Sequence, residues 1–438
     1  IEVRNIGAST LDLAGVAFKD GVSFDFEDAS VGSLAAGERA LLVRDPVAFT
    51  LRYGAGLPVI GTYMGGLKNS SEAITITAAG GVTVLDFTYD DSWYPTTDGE
   101  GFSLEIIDDS LALSTWALSG RWQPSDSTGG SPGTDASGVL LPPNGSIVIN
   151  EVLTHSDGPE GDWIELHNTT GDAIDIGGWF LSDDPGTPLK YEIAASTTLA
   201  ANAYMVFNAR DHFGPASADP GMLIPFGLSE KGDEVVVSSG SGGAQTGYQE
   251  QESFAGADNG VTFGRHTLSD ANVVFTTLET RTQGGLNSGP LVGPVVISEI
   301  NYHPAFAGYE YIKILNAGAS AVPLYDVAVP ANTWQITNGV DFTFPPNVTL
   351  AAGTHLVLVP FDPDASPFEL SNFVSLYGVG TGVEILGPYS GGLSNGGERV
   401  SLSKAGMPDP VPPNEVPLIV VDSVKYNDVA SWPTGPDG

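Results

Sequence analysis

Three short sequence blocks recur in the same order three times along the 438-residue chain. A chain that repeats itself at roughly 150 residues, the size of one domain, is an array and not one continuous architecture. The first block reads Ile1-Glu2-Val3-Arg4-Asn5, then Ile164-Glu165-Leu166-His167-Asn168, then Ile312-Lys313-Ile314-Leu315-Asn316. The second reads Leu34-Ala35-Ala36-Gly37, Leu199-Ala200-Ala201-Asn202 and Leu350-Ala351-Ala352-Gly353. The third is Gly66-Leu67, Gly227-Leu228 and Gly392-Leu393, each followed by a polar turn holding Glu72, Asp233-Glu234 or Glu398 and then a strand. The repeats divide the chain into units at 1–138, 139–290 and 291–438. The boundaries fall in Pro/Gly stretches at 138–145 and 288–294, and proline stiffens such links, so a semi-rigid rod is expected.

Within each unit the pattern is that of strands. The 56 glycines and 31 prolines are spread along the chain. Between them lie alternating runs such as Ala73-Ile74-Thr75-Ile76-Thr77 and Glu234-Val235-Val236-Val237-Ser238. Period-two alternation broken by turn residues predicts antiparallel β-structure. The best helical stretch is 46–53, with Asp45 placed to cap it and Gly54 to stop it. The fold class is all-β. The second and third units open with strands at 147–152 and 295–300 that the first unit lacks. The first unit closes with a strand at 99–105 that the third does not reach. The terminal units are therefore expected to be incomplete, each with an unpaired edge or an open groove. The chain opens in mid-strand without an initiator Met, and reads as a segment of something longer.

Charge narrows the partners. Acids outnumber bases 53 to 16, a formal charge of −37, which repels phosphate backbones and anionic membranes. No nucleic-acid partner and no membrane insertion are expected, and no apolar run approaches the ~20 residues of a membrane span. The absence of cysteine excludes a disulfide scaffold, a zinc-thiolate site and a cysteine nucleophile.

The stretch Gly161-Asp162-Trp163-Ile164-Glu165-Leu166-His167-Asn168, continuing through Ile174-Asp175-Ile176-Gly177-Gly178-Trp179-Phe180-Leu181-Ser182-Asp183-Asp184, resembles a bacterial lamin-tail domain. The third unit is similar through Ile297-Ser298-Glu299-Ile300-Asn301-Tyr302-His303-Pro304 and Val340-Asp341-Phe342-Thr343-Phe344-Pro345. The first is similar at 15–26 and 86–105. In the third unit Pro323-Leu324-Tyr325-Asp326 replaces the usual acidic-apolar-glycine turn. The resemblance implies three tandem immunoglobulin-like β-sandwiches, the terminal ones incomplete. It also implies non-catalytic modules of extracellular or cell-surface bacterial proteins.

The residues agree with that reading. Ile164 and Leu166 share one strand face while Glu165 and His167 share the other, the pattern of a half-buried strand. Asn5, Asn168 and Asn316 end their strands as turn formers, and Trp179 is expected as a core anchor. His155 and His303 follow Glu151 and Glu299 by four residues, ~13 Å along a strand, too far to share a metal or a proton. No nucleophile elbow, zinc helix or phosphate loop occurs, so no catalytic residue is assigned.

Calcium, which needs several oxygens converging from a loop, is the cofactor with most physical content. Asp157, Glu160 and Asp162 are the leading cluster. Asp183/Asp184, Asp362/Asp364 and Asp90/Asp91 stand behind it. The function expected is a structural or adhesive protein of the bacterial exterior, a filament or surface-layer subunit assembled through open sheet edges. The alternative is a targeting module of a larger secreted enzyme. Its partners would be further copies or neighbouring domains of one long protein, or a polysaccharide.

Overall fold

The computed structural model describes residues 1–135, 140–268, 271–306, 308–406, 416–429 and 432. It is all-β, with immunoglobulin-like sandwiches, and every hydrogen-bonded sheet draws its strands from one repeat. In the middle unit one sheet runs Tyr204–Asn208, Trp163–Asn168, Ile147–Leu153, Thr262–Thr267, Val273–Thr277. The other runs Tyr191–Glu192, Phe180–Ser182, Gly232–Ser241, Ala244–Ala255. Their inner faces enclose a core built on Ile164, Leu166, Trp179, Tyr191, Val235 and Tyr248, with Trp179 packed on Tyr248 at 5.1 Å. Separate cores hold the first unit around Phe18, Phe24 and Phe26 and the third around Trp334, Phe342 and Phe344.

The helix at Pro46–Tyr53 forms where expected. Asp45 accepts the amides of Val47 and Ala48, and Gly54 (φ 83°) ends it. A second helix, Pro367–Tyr377, is an addition to the sequence reading. It occupies the same place in the third unit and buries Phe373 against Val357 and Val359. Both helices carry the chain across to a parallel strand, Arg39–Val43 to Val59–Thr62 and His355–Leu358 to Glu384–Leu386. A parallel neighbour requires such a crossover.

The opening strands Ile147–Leu153 and Val295–Asn301 both carry a bulge, at Asn150 and Ser298. The closing strand of the first unit is shorter than expected: Leu104–Ile106 pairs with Trp122–Pro124, and 99–103 is not strand. The strand Glu2–Arg4 pairs with Arg39–Val43 alone among the described residues, whereas its counterpart Trp163–Asn168 is paired on both sides. Ile1 and Val3 are accordingly half-buried, where Ile164, Leu166, Ile312 and Ile314 are fully buried. The expectation that the third unit does not reach a closing strand falls on residues 433–438, which lie outside the described residues.

Consecutive units pack directly against each other. At the first joint the Thr96 hydroxyl, fully buried, donates to the carbonyl of Gly247, and Gln245 reaches Glu100. A side chain on Gly247 would collide with Pro124 and the carbonyl of Ser125. At the second joint Gly256 forms a parallel β-bridge with Ile419, and Lys404 Nζ binds Asp258 Oδ2 at 2.6 Å.

Candidate functional site

The recurring sequence blocks are tied to one another by two kinds of polar contact. Asn5 Nδ2 donates to the carbonyls of Ser9, Leu34 and Ala35. Asn168 does the same to Asp172, Leu199 and Ala200, and Asn316 to Ser320 and Leu350. Each Oδ1 accepts the amide two residues on, from Gly7, Thr170 or Gly318. The turn role holds, and the same amide group also pins the Leu-Ala block beneath it. That explains why the first two blocks travel together. In the third block Glu72, Asp233 and Glu398 each accept the amide of the residue four earlier, Lys68, Ser229 and Ser394. The acid closes the turn before its strand begins.

The outer face of the middle unit departs from the alternation read in its sequence. Glu165, on the face expected to meet solvent, is fully buried, as is Glu151 beside it. The segment after the closing strands folds back over them. Glu151 accepts hydrogen bonds from the Thr282 amide (3.1 and 3.2 Å), the Thr282 hydroxyl (2.7 Å) and the Thr262 hydroxyl (2.6 Å). Glu165 accepts from Asn150 Nδ2 (2.8 Å) and from the Gly284 amide. Burial raises the Glu165 carboxyl above its ordinary range. In the first unit Glu2, the counterpart of Glu165, accepts the Gly133 amide in the same way. Sequence pattern could not expose this, because the covering segment is irregular and returns from far along the chain.

A cleft of about 420 Å³ opens at one end of the middle unit, lined by Thr154, His155, Asp157, Asp162, Leu228, Glu230 and Lys231. His155 Nδ1 lies 3.1 Å from the carbonyl of Ala257, and Nε2 lies 3.2 Å from Glu230. Asp162 Oδ2 accepts the Leu228 amide at 3.1 Å. Burial pushes its carboxyl up to about 6, against the pull of that amide and of His155. The Thr154 hydroxyl is buried in the lining without a protein partner.

The three acids read as a calcium cluster have separate engagements. Asp157 takes the side-chain amide of Asn259, Asp162 the backbone of Leu228, and Glu160 lies 4.0 Å from Arg210. Among the described residues no three His, Asp or Glu side chains gather closely enough to hold a metal ion. Asp183 pairs with Lys190 at 2.5 Å, while Asp184, Asp90 and Asp362 cap turns. Glu299 binds Tyr311 and Lys313 on the flank of its sheet. A second cluster, unread in the sequence, joins the two sheets of the middle unit. Arg265 bridges Glu250 (2.9 Å) and Glu252 (2.7 Å). Burial, with Glu250 alongside and Arg265 opposing, pushes Glu252 up to about 7.

Among known families, residues 141–272 match the model of the Lamin Tail Domain. No curated protein matches the chain.

Proposed function

We propose, from the premise that residues 141–272 are a lamin tail domain, that the chain is a structural or adhesive protein of the bacterial exterior. An immunoglobulin-like sandwich of this family is a binding or structural module, in general without enzymatic activity. One observation carries the structural reading: the buried Asn168, Glu151 and Glu165 and the half-buried Asp233 are spent on architecture. Asn168 pins one turn, Asp233 closes another, and Glu151 with Glu165 clamps the segment leading to the next unit. Buried carboxylates are costly unless fully hydrogen-bonded, so such a clamp is retained for the geometry that it fixes. The high acid content supports solubility at an exposed, salty surface. Filament or surface-layer assembly belongs to the same proposal.

The test is antibody labelling of intact cells that make the protein. Label on the unpermeabilised surface is expected; label appearing only after permeabilisation overturns the placement.

The cleft at His155 favours a second reading, a binding module for a polyhydroxylated ligand such as a polysaccharide. Its buried Thr154 hydroxyl, with His155, Asp162 and Glu230 around it, offers hydrogen bonds and no apolar platform. Saturable retention on wall polysaccharide that Thr154→Val abolishes would establish it, and absence of retention would remove it. Calcium stays a proposal of the same rank, tested by the heat of titration into chelator-treated protein.

A further inference from the structure

The two sheets of the third unit part along one side. Glu384–Leu386 is the edge strand of one sheet, and Ser390–Gly391, paired on Val340–Thr343, is the edge of the other. Between them lies a groove of about 620 Å³, floored by Phe342, Ile385 and Leu386 and rimmed by Asp341, Asp364 and Glu384. The corresponding side is closed in the other two units. In the first, the Ser30 amide crosses to the Ile60 carbonyl at 2.8 Å. In the middle unit Phe213, fully buried and stacked on Phe226 at 4.5 Å, fills the space beyond Tyr204–Asn208. Phe344 is the counterpart of Phe26, each donating its amide to a carbonyl at the start of its hairpin, Trp334 or Val16. After Phe344 come Pro345-Pro346, which have no amide hydrogen to make the crossing that Ser30 makes. Val295–Asn301 and Leu418–Tyr426 hold the opposite edges of the two sheets, so neither the strand that enters the unit nor the last described strand borders the groove.

The edge strand pairs on one side only, in parallel with His355–Leu358. Leu386 turns its carbonyl to the Val359 amide, so alternation along the strand turns the N–H and C=O of Ile385 outward, toward the groove. An unpaired edge beside an apolar floor suits an extended peptide that adds as a strand, with backbone bonds for affinity and side-chain pockets for specificity. Charge selects the peptide. Three exposed carboxylates line the groove, and among the described residues no Lys, Arg or His does. We infer that this groove binds an extended segment of a partner protein in which an apolar side chain is flanked by Lys or Arg. The apolar side chain enters over Phe342 and Leu386, and the cations meet Asp341, Asp364 and Glu384. Such complementarity steers basic segments in and rejects acidic ones, which also disfavours a second copy of a chain of formal charge −37. The inference goes beyond the scaffold reading and does not depend on it.

The test pans a phage-displayed library of short random peptides against the full chain, after depletion on an Asp341→Lys/Glu384→Lys variant. Both acids are exposed, so the variant should keep the wild-type melting temperature; Asp364→Lys, on an exposed turn, replaces it if it does not. The enriched peptides are expected to carry positive charge around an apolar centre. By fluorescence polarisation they should bind the wild type at least tenfold more tightly than the groove variant. An Asp20→Lys/Glu27→Lys variant, with the same change of charge on exposed positions of the first unit, should bind them as the wild type does. N-methylation of the central peptide amides should weaken binding at least tenfold, because strand addition uses them. The inference is overturned if no peptide discriminates the wild type from the groove variant, or if those selected are neutral or acidic. Equal loss in the Asp20→Lys/Glu27→Lys variant overturns it in favour of diffuse attraction to an acidic surface, and tolerance of N-methylation overturns the strand addition. Self-association of the wild type that the groove variant abolishes would assign the groove to a second copy instead.

Discussion

At the scale of the residue, the decisive groups are few and their chemistry is legible. Asn168 sends one amide nitrogen to three carbonyls while its oxygen accepts both the amide and the hydroxyl of Thr170. Asn168→Ala orphans buried carbonyls and is expected to cost at least about 2 kcal/mol. Asn168→Asp should cost more, because it turns a carboxylate oxygen toward acceptors. Urea titration of the two variants checks the order, and equal losses would contradict it. The same Asn is a formal glycosylation sequon, yet its full burial closes it to modification.

Arg265 is the second case. Arg265→Ala leaves two largely buried carboxylates without their cation, at a cost on the order of 3 kcal/mol. Asp162 and Glu252 have folded pKa values near 6 and 7, above their unfolded values. The folded state therefore holds protons that the unfolded chain releases. Their stabilisation is fully present below the unfolded values and is lost as pH rises through about 6 to 7. The thermal midpoint should thus fall between pH 5 and 8, and less steeply in Glu252→Gln; a midpoint that rises over this range would contradict the assignment.

Elements were read well where local pattern decides and poorly where distant segments do. The helix at Pro46–Tyr53 follows from its cap, its proline and its terminal glycine. Pro367–Tyr377 escaped because only Phe373 on it is fully buried, which leaves a faint amphipathic signal. The strand Trp163–Asn168 was read correctly as a strand. Its outer face was not, because the alternation rule presumes solvent where the returning 279–291 segment lies. The calcium cluster was read from acids close in sequence, and the loop carries them to different partners. The element that the sequence concealed is also the one easiest to perturb. Glu165→Ala is expected to release the Gly284 amide and to speed proteolysis at 281–287 severalfold, with the sandwich core intact. Unchanged cleavage in limited proteolysis would contradict the clamp.

At the scale of the molecule, three sandwiches are joined by backbone-close contacts. Gly247 is the tightest point, since any side chain there meets Pro124 and Ser125. Gly247→Leu should separate the first two units while each still melts cooperatively, and it should raise the radius of gyration seen by small-angle scattering. An unchanged radius would show that the joint does not hold in solution. The threefold redundancy itself was plain in the sequence, because the blocks that recur are the ones whose side chains cross-link their own unit. The joints were not, because they rest on two glycines, on backbone groups and on a few scattered polar side chains that leave no compositional mark.

A scaffold requires that its units be held in fixed relation. Spin labels on cysteines introduced at Leu51 in the first unit and Phe368 in the third, both strongly exposed, test that relation directly. One narrow distribution of label separations by pulsed electron resonance is predicted. A broad distribution, spanning tens of ångströms as for modules on loose tethers, would contradict it.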